Sequence, residues 1–152
     1  MLWDWIVEIY GRPGVEPACL ALQDEHGQST PYLLWAVWAG GRGGLVHERC
    51  LTAAAIAWPW ERAVTHPLRA ARLGLKPAFA SIDDPARRAL RARIKADELE
   101  AERLLLQALE PLAEPADTPQ LSAGPALRLA AEAWGPPPTP ALDRLATALI
   151  GG

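Results

Sequence analysis

Thr30-Pro31-Tyr32-Leu33-Leu34-Trp35-Ala36-Val37-Trp38-Ala39 is apolar on every side once it is wound into a helix. A helix of that kind is either buried all round or covered by another subunit. The better reading is the central helix of a bundle. Its most apolar part, Tyr32–Ala39, is far shorter than the roughly 20 residues a membrane-spanning helix needs. Strand signals are nearly absent around it. There is no alternating Val/Ile/Thr run and no Asn-Gly hairpin turn. Helix starts are marked instead by Thr30-Pro31, Asp84-Pro85 and Thr139-Pro140. In each, the capping oxygen accepts a free backbone N–H and proline occupies the first helical position. Gly27 suits the end of a helix, where positive φ is needed. The pattern predicts an all-α fold, a single compact bundle of about seven or eight helices.

The expected helices cover about Leu2–Tyr10, Val15–His26, Pro31–Ala39, Leu51–Ala57, Pro59–Lys76 (kinked at Pro67), Pro85–Leu109, Pro125–Trp134 and Pro140–Ile150. Residues 1–110 read as a helical core domain. Residues 111–152 read as a Pro-rich linker followed by short helices docked on that core, or on a neighbouring copy as a dimerising arm. The loop Gly40-Gly41-Arg42-Gly43-Gly44 invites a phosphate-cradle reading. It lacks the Lys-Ser/Thr ending of such loops and follows no strand, so a flexible connector is the better reading.

With 152 residues, half of them hydrophobic, the chain can bury a core without disulfides or metal. A net charge of −3 excludes a polybasic nucleic-acid protein and an acidic disordered one. Cys19 and Cys50 follow no metal or redox spacing and suit a reduced, cytoplasmic setting. The N-terminal residues Met1-Leu2-Trp3-Asp4-Trp5 do not form a signal peptide. No cofactor motif is visible, and no membrane association is expected.

Residues 58–110 hold 10 of the 15 basic side chains but carry a net charge of only +2. Interleaved acids repel phosphate, so nucleic-acid binding through Arg87, Arg88, Arg91 and Lys95 is the weaker reading, and a solvated face with internal ion pairs the better one. On the sixth helix the apolar stripe runs Leu90, Ile94, Ala101, Leu105, Ala108, Leu112. Glu98 falls inside that arc and Glu102 at its edge. A carboxylate on an apolar face needs a cation, a metal or a proton. The fifth helix has its apolar face at Trp60, Val64, Leu68, Ala71 and Leu75, flanked by Arg72 and Glu61, with Arg62, Arg69 and Lys76 pointing further away. Antiparallel packing would bring Arg72 to Glu98. Three readings stay open for this cluster: a salt bridge that sets helix register, a polar ligand pocket and a metal site. The last is weakest, because no Glu-x-x-His pair accompanies the acids.

Gln23, Asp24, Glu25 and His26 form a polar end to the second helix, where His26 serves the free carbonyls there. His66 reads as surface, His47 as loop, and Asp83-Asp84 as a helix cap. No Ser/His/Asp or Cys/His grouping stands at readable spacing.

Leu2-Trp3-x-Trp5, Gly14-Val15 with Cys19-Leu20-Ala21-Leu22-Gln23-Asp24 and Gly27, Pro67-Leu68-Arg69 with Arg72, and Glu98-Leu99-x-Ala101-Glu102-Arg103 together resemble a family of short proteobacterial proteins described only as a domain of unknown function. The resemblance covers about the first 110 residues. It implies an all-helical cytoplasmic protein and supplies no activity. Its matching positions include Gln23, Asp24, Trp60, Arg69, Arg72, Glu98 and Glu102. Members usually carry Val-Asn before the third helix where this chain has Thr30-Pro31, so a polar site built on that Asn would be altered here.

Two functions follow as expectations. The first is a non-enzymatic interaction or regulatory module, with a protein partner or a second copy, motivated by 7 Trp and the all-apolar third helix. The second is a small-molecule-binding protein or minor enzyme. Its pocket would lie among the second, fifth and sixth helices and be lined by Gln23, Asp24, Trp60, Arg69, Arg72, Glu98 and Glu102. Arg69 or Arg72 would hold a small anionic ligand there, with Glu98 as a general base.

Overall fold

In a computed structural model, which describes residues 1–151, the chain forms eight α-helices. These are α1 (Leu2–Tyr10), α2 (Val15–His26), α3 (Thr30–Arg42), α4 (His47–Trp60), α5 (His66–Gly74), α6 (Asp84–Leu109), α7 (Ala123–Trp134) and α8 (Thr139–Ile150). A π turn, Glu61–Thr65, joins α4 to α5, and a 3-10 turn, Glu110–Ala113, follows α6. No strand occurs among the described residues, and the fold is the all-α bundle its sequence predicts.

The central position expected of α3 is what it occupies. Every residue from Thr30 to Ala36 is buried, as are Ala39 and Gly40. Leu2, Ile6 and Ile9 of α1, Leu22 of α2, Leu105 and Leu109 of α6, and Leu127 and Ala130 of α7 share its core. The one polar atom Tyr32 brings inside is satisfied: its hydroxyl donates to the carbonyl of Ala130 at 2.7 Å, with that of Cys50 3.3 Å away. Tyr32 also stacks on Trp134, whose indole meets Trp58 edge-on. One phenol therefore ties α3 to both α4 and α7.

The C-terminal helices belong to the same core. α7 lies against α3 and α4, and α8 against α2 and α7. Their buried faces are rich in alanine (Ala126, Ala130, Ala131, Ala141, Ala146), which lets the backbones approach closely. The closest approach is at Gly40, where an added Cβ would stand 2.9 Å from that of Ala126.

Several boundaries differ from the sequence expectation. α3 runs on through Gly40 and Gly41 to Arg42, so the glycine loop is shorter than expected. Gly43 and Gly44 form the turn with φ of 78° and 103°. Carbonyls of the 114–118 segment fill the space beside them, which leaves no cradle for a phosphate. The cap of α3 is Ser29 and that of α6 is Asp83, one residue before the expected Thr30 and Asp84. Ser29 Oγ accepts from Tyr32 N and Asp83 Oδ2 from Ala86 N, so each proline is one place further into its helix. α8 likewise begins at Thr139 itself, behind Pro138.

The largest difference is at Pro59, which lies inside α4 and does not start a new helix. Its missing N–H and bulky ring disturb the ladder. A π turn at Glu61–Thr65 lies between Pro59 and Pro67, and helical structure continues from His47 to Gly74. Pro67 follows directly, inside this continuous helical run, where its nitrogen cannot donate to the carbonyl of Ala63 in the π turn.

Beyond this turn the helices leave the core. Between residues 66 and 97 only Arg87 is buried, and α5 packs chiefly on α6. Leu90, expected on the buried stripe of α6, is therefore exposed, as is Ala108, while Leu106 and Leu109 are buried in their stead. Arg87 closes the far end of this antiparallel arm. Its guanidinium donates to the carbonyls of Leu75 (2.6 Å) and Lys76 (3.0 Å) and to Asp84. These carbonyls end α5 and have no helical partner.

Gly40 and Gly41 make a matched test of the α3–α7 contact. Gly41→Ala meets nothing within 4 Å and should stabilise the fold by about 0.5–1 kcal/mol through helix propensity. Gly40→Ala gains the same propensity but forces α3 and α7 apart, for a net loss of about 1–2 kcal/mol. Urea denaturation of the two variants should give opposite signs.

Candidate functional site

The arm is anchored at its root by a carboxylate shared between two arginines. Glu98 is buried on α6. Arg69 Nε donates to its Oε1 at 3.1 Å, and Arg72 Nε to its Oε2 at 2.5 Å. The expected Arg72–Glu98 pairing across antiparallel helices is present. Arg69, expected to point away, joins it for a local reason. The wide π turn changes the helical phase of everything after Thr65, so positions 69 and 72, one turn apart, face α6 together. Hydrogen bonding to Glu98 holds the Arg72 guanidinium above its already high ordinary pKa, with Asp24 and Glu102 adding to the effect by charge.

Glu102, one turn further along α6, is less well served. Its nearest cation is Arg69 Nη2, at 3.8 Å. Burial pushes its carboxyl up to about 7. Arg69 opposes that shift, while the negative charges of Glu98 and Glu61 add to it. Glu102 also lies between two depressions. A groove of about 540 Å³ between α2, α5 and α6 is lined by Glu16, Leu20, Arg72, Lys95, Glu98 and Glu102. A hollow of about 300 Å³ between α1, α3 and α6 takes in Trp3, Tyr10, Thr30, Leu99 and Glu102.

The structure thus brings together Arg69, Arg72, Glu98 and Glu102, four of the seven expected site residues. The other three lie elsewhere. Trp60 lays its indole on α6, donating from Nε1 to the carbonyl of Ala101 at 2.9 Å, beside a small apolar hollow with Ile56 and Leu104. Gln23 lies against Asp24 on the exposed end of α2, its amide donating to Asp24 at 3.2 Å. Neither of those two lines the groove.

A second polar cluster was not legible in the sequence. Glu61, in the π turn, is 2% exposed. It accepts a hydrogen bond from Ser29 Oγ at 2.7 Å, and His66 Nε2 lies 3.5 Å from its other oxygen. Gln28 Oε1 and Thr65 Oγ1 are buried without a partner among the described residues. The order is wrong for nucleophilic catalysis, because the serine faces the carboxylate and not the imidazole. Ser29 is already spent as the cap of α3, and Glu61 is best read as its anchor. No sequence spacing announces this cluster, since 32 residues separate Ser29 from Glu61. The thiols offer no nucleophile either: burial pushes Cys19 up to about 12 and Cys50 up to about 11. No cluster of three metal-ligating side chains occurs among the described residues.

Charge is segregated along the chain in step with this architecture. Residues 66–97 carry eight basic and three acidic side chains, a net of +5, which leaves −8 for the rest of the chain. Leu73, Phe79, Ile82 and Leu90 are exposed on the same segment. Arg87 is committed to the α5 carbonyls, and Arg88 to Asp84 at 3.0 Å, so two of the four side chains considered for phosphate contact are already engaged.

Removing the shared carboxylate while keeping both arginines should be costly. Glu98→Gln is expected to lower stability by about 2–3 kcal/mol, at the low end for a buried ion pair because Arg72 is partly exposed. Replacing all three charges (Arg69→Met, Arg72→Met, Glu98→Leu) should recover most of that loss, read by chemical denaturation. Glu102 should behave oppositely to an ordinary paired carboxylate. Its folded pKa is raised, so the folded chain holds the proton more tightly than the unfolded one. Its contribution is full at acid pH and is lost as pH rises from about 4.5 to about 7. Glu102→Gln should remove that decline and leave the variant about 2 kcal/mol more stable than the parent at pH 8. Melts across the pH range check both the sign and the window.

No curated protein and no solved structure matches the chain. None of the described helices is long and apolar enough to cross a membrane. A family model agrees in extent with α1 to α6. Residues 1–109, which include the arm and its Glu98 clamp, match the model of a protein family of unknown function, DUF2390, and the chain belongs to that family.

Proposed function

We propose that the chain is a non-enzymatic interaction module that presents the α5–α6 arm to an acidic protein surface. The observation that carries this reading is the arm itself. It holds a net charge of +5 on a chain of net −3, stands clear of the core, and exposes Phe79 and Ile82 at its tip. An isolated helical hairpin with so little buried surface needs bracing. The Arg69/Arg72–Glu98 clamp at its root and the Arg87 clamp at its tip hold it in one shape for docking. Exposed aromatic and aliphatic side chains on a segment of net charge +5 suit a protein partner better than a phosphate backbone. A second copy of the chain, with its net −8 body, has the required chemistry as well. The free, buried thiols fit a partner met in the cytoplasm.

The small anionic ligand fits the groove less well. Both arginines are engaged by Glu98, so an incoming anion would have to displace a buried carboxylate before binding.

A photo-cross-linking residue placed at Phe79 in the native host tests the proposal. The expected result is a discrete protein adduct, either an acidic partner or a second copy. It should weaken at high salt and disappear when Arg88 and Arg91 are changed to Glu. A nucleic-acid adduct, or protein adducts no different from those of a probe at the exposed Glu132 on α7, would sink it.

A further inference from the structure

We propose that the hollow between α1, α3 and α6 is a binding site for a small hydrophobic amine, whose ammonium group meets Glu102. This site is independent of the arm and lies on the other side of Glu102 from the α2–α5–α6 groove.

The argument begins with how the wall is divided. Trp3, Ile6, Val7, Leu34, Leu99 and Leu106 make most of it apolar. A few polar groups interrupt it. Tyr10 faces the Cys19 thiol, and Thr30 Oγ1 donates to the Cys19 carbonyl at 3.3 Å. The charge of Glu102 acts on both Tyr10 and Cys19, raising the pKa of each. The wall thus carries three polar side chains, Tyr10, Thr30 and Glu102, and the remainder of it is apolar. A few polar groups in an apolar slot are how small-molecule sites set orientation, and about 300 Å³ is at the small end of their range.

The sign of the ligand follows from the charges. Glu102 has only Arg69, at 3.8 Å, as a near cation. The groups that face it are Arg69 and Arg72 from α5, Glu61 from the π turn, Glu98 from its own helix, and Tyr10, Cys19 and Glu16 from α1 and α2. Both arginines already belong to Glu98. The carboxylate of Glu102 is thus half-buried and short of positive charge, and it is the only charged group among the described residues on the wall of the hollow. An ammonium supplies that charge and three donors, for which Glu102, Tyr10 and Thr30 are acceptors. The aromatic side chains of Trp3, already under the Arg103 guanidinium at 5.8 Å, and of Tyr10 suit an attached ring. An anion would face the same carboxylate without compensation.

The probe is phenethylamine, with 2-phenylethanol as its neutral counterpart, in calorimetric titration near pH 8. The intact protein is expected to bind the amine saturably and about tenfold or more tightly than the alcohol. Glu102→Gln should abolish that preference while leaving the chain folded, since this variant is expected to be stable at that pH. Val7→Trp, at an exposed position on the rim, should weaken both compounds by filling the hollow without touching the core. The preference should fade on acidification as Glu102 takes up a proton. Equal affinity for amine and alcohol in the parent, an amine preference that survives in Glu102→Gln, or no saturable binding of either compound in the millimolar range would each overturn the proposal. None of these results depends on whether the arm binds a protein.

Discussion

Burial of a helix with no polar face is the constraint from which the rest of the architecture follows. α3 must be covered on every side, and in a chain of 152 residues that takes most of the other helices. α1, α2, α4, α6 and α7 each lie against it. Two hydroxyls enter the core with it, and both are turned to use: Thr30 donates to the Cys19 carbonyl, and Tyr32 has its partner in the Ala130 carbonyl and stands close to that of Cys50. An unpaired hydroxyl there would cost about 1–3 kcal/mol. Paired, that of Tyr32 sets the register of α7 on α3. The glycine at position 40 and the alanines of α7 then let the two backbones close up, with no large side chain between them.

With the apolar residues concentrated around α3, little is left for the arm. α5 has no buried residue, and the first half of α6 has only Arg87. What holds the two together is polar: Glu98 at one end and Arg87 at the other. Such pairs add little net stability, because desolvation offsets most of the attraction. They do specify geometry, since a slip of one helix past the other would leave charges buried and unpaired. An arm braced in this way can keep apolar side chains exposed without collapsing onto them. That is the feature expected of a surface that docks.

Glu98 and Glu102 show how position alone separates two identical groups. Glu98 is shared by two guanidiniums. Glu102, four residues on, has one distant cation and is held up to about 7 by burial. The first is a fastener. The second remains available to bind something, and the hollow at its side is the right size and polarity for a small cation. The π turn is the source of this division, because its change of phase delivers Arg69 to Glu98 and leaves Glu102 underserved.

The amino-acid sequence by itself determined the helical class, most of the helix spans, the central place of α3 and the meeting of Arg72 with Glu98. Each depends on local periodicity, on capping chemistry, or on a charge lying on an apolar stripe. Only the tertiary structure decided that a π turn separates Pro59 from Pro67, that Arg69 turns inward, that Glu61 anchors the Ser29 cap, and that Trp60, Gln23 and Asp24 do not line the groove, although Asp24 still acts on Arg72 by its charge. The physical reason is the same in each case. A wide turn alters helical phase by an amount that residue spacing does not record, and a buried hydrogen bond between positions 29 and 61 exists only once the core has brought them together. The segregation of charge onto the arm could be counted in the sequence, but only over the right residues. Their limits, 66 and 97, are set by where the core stops covering the chain.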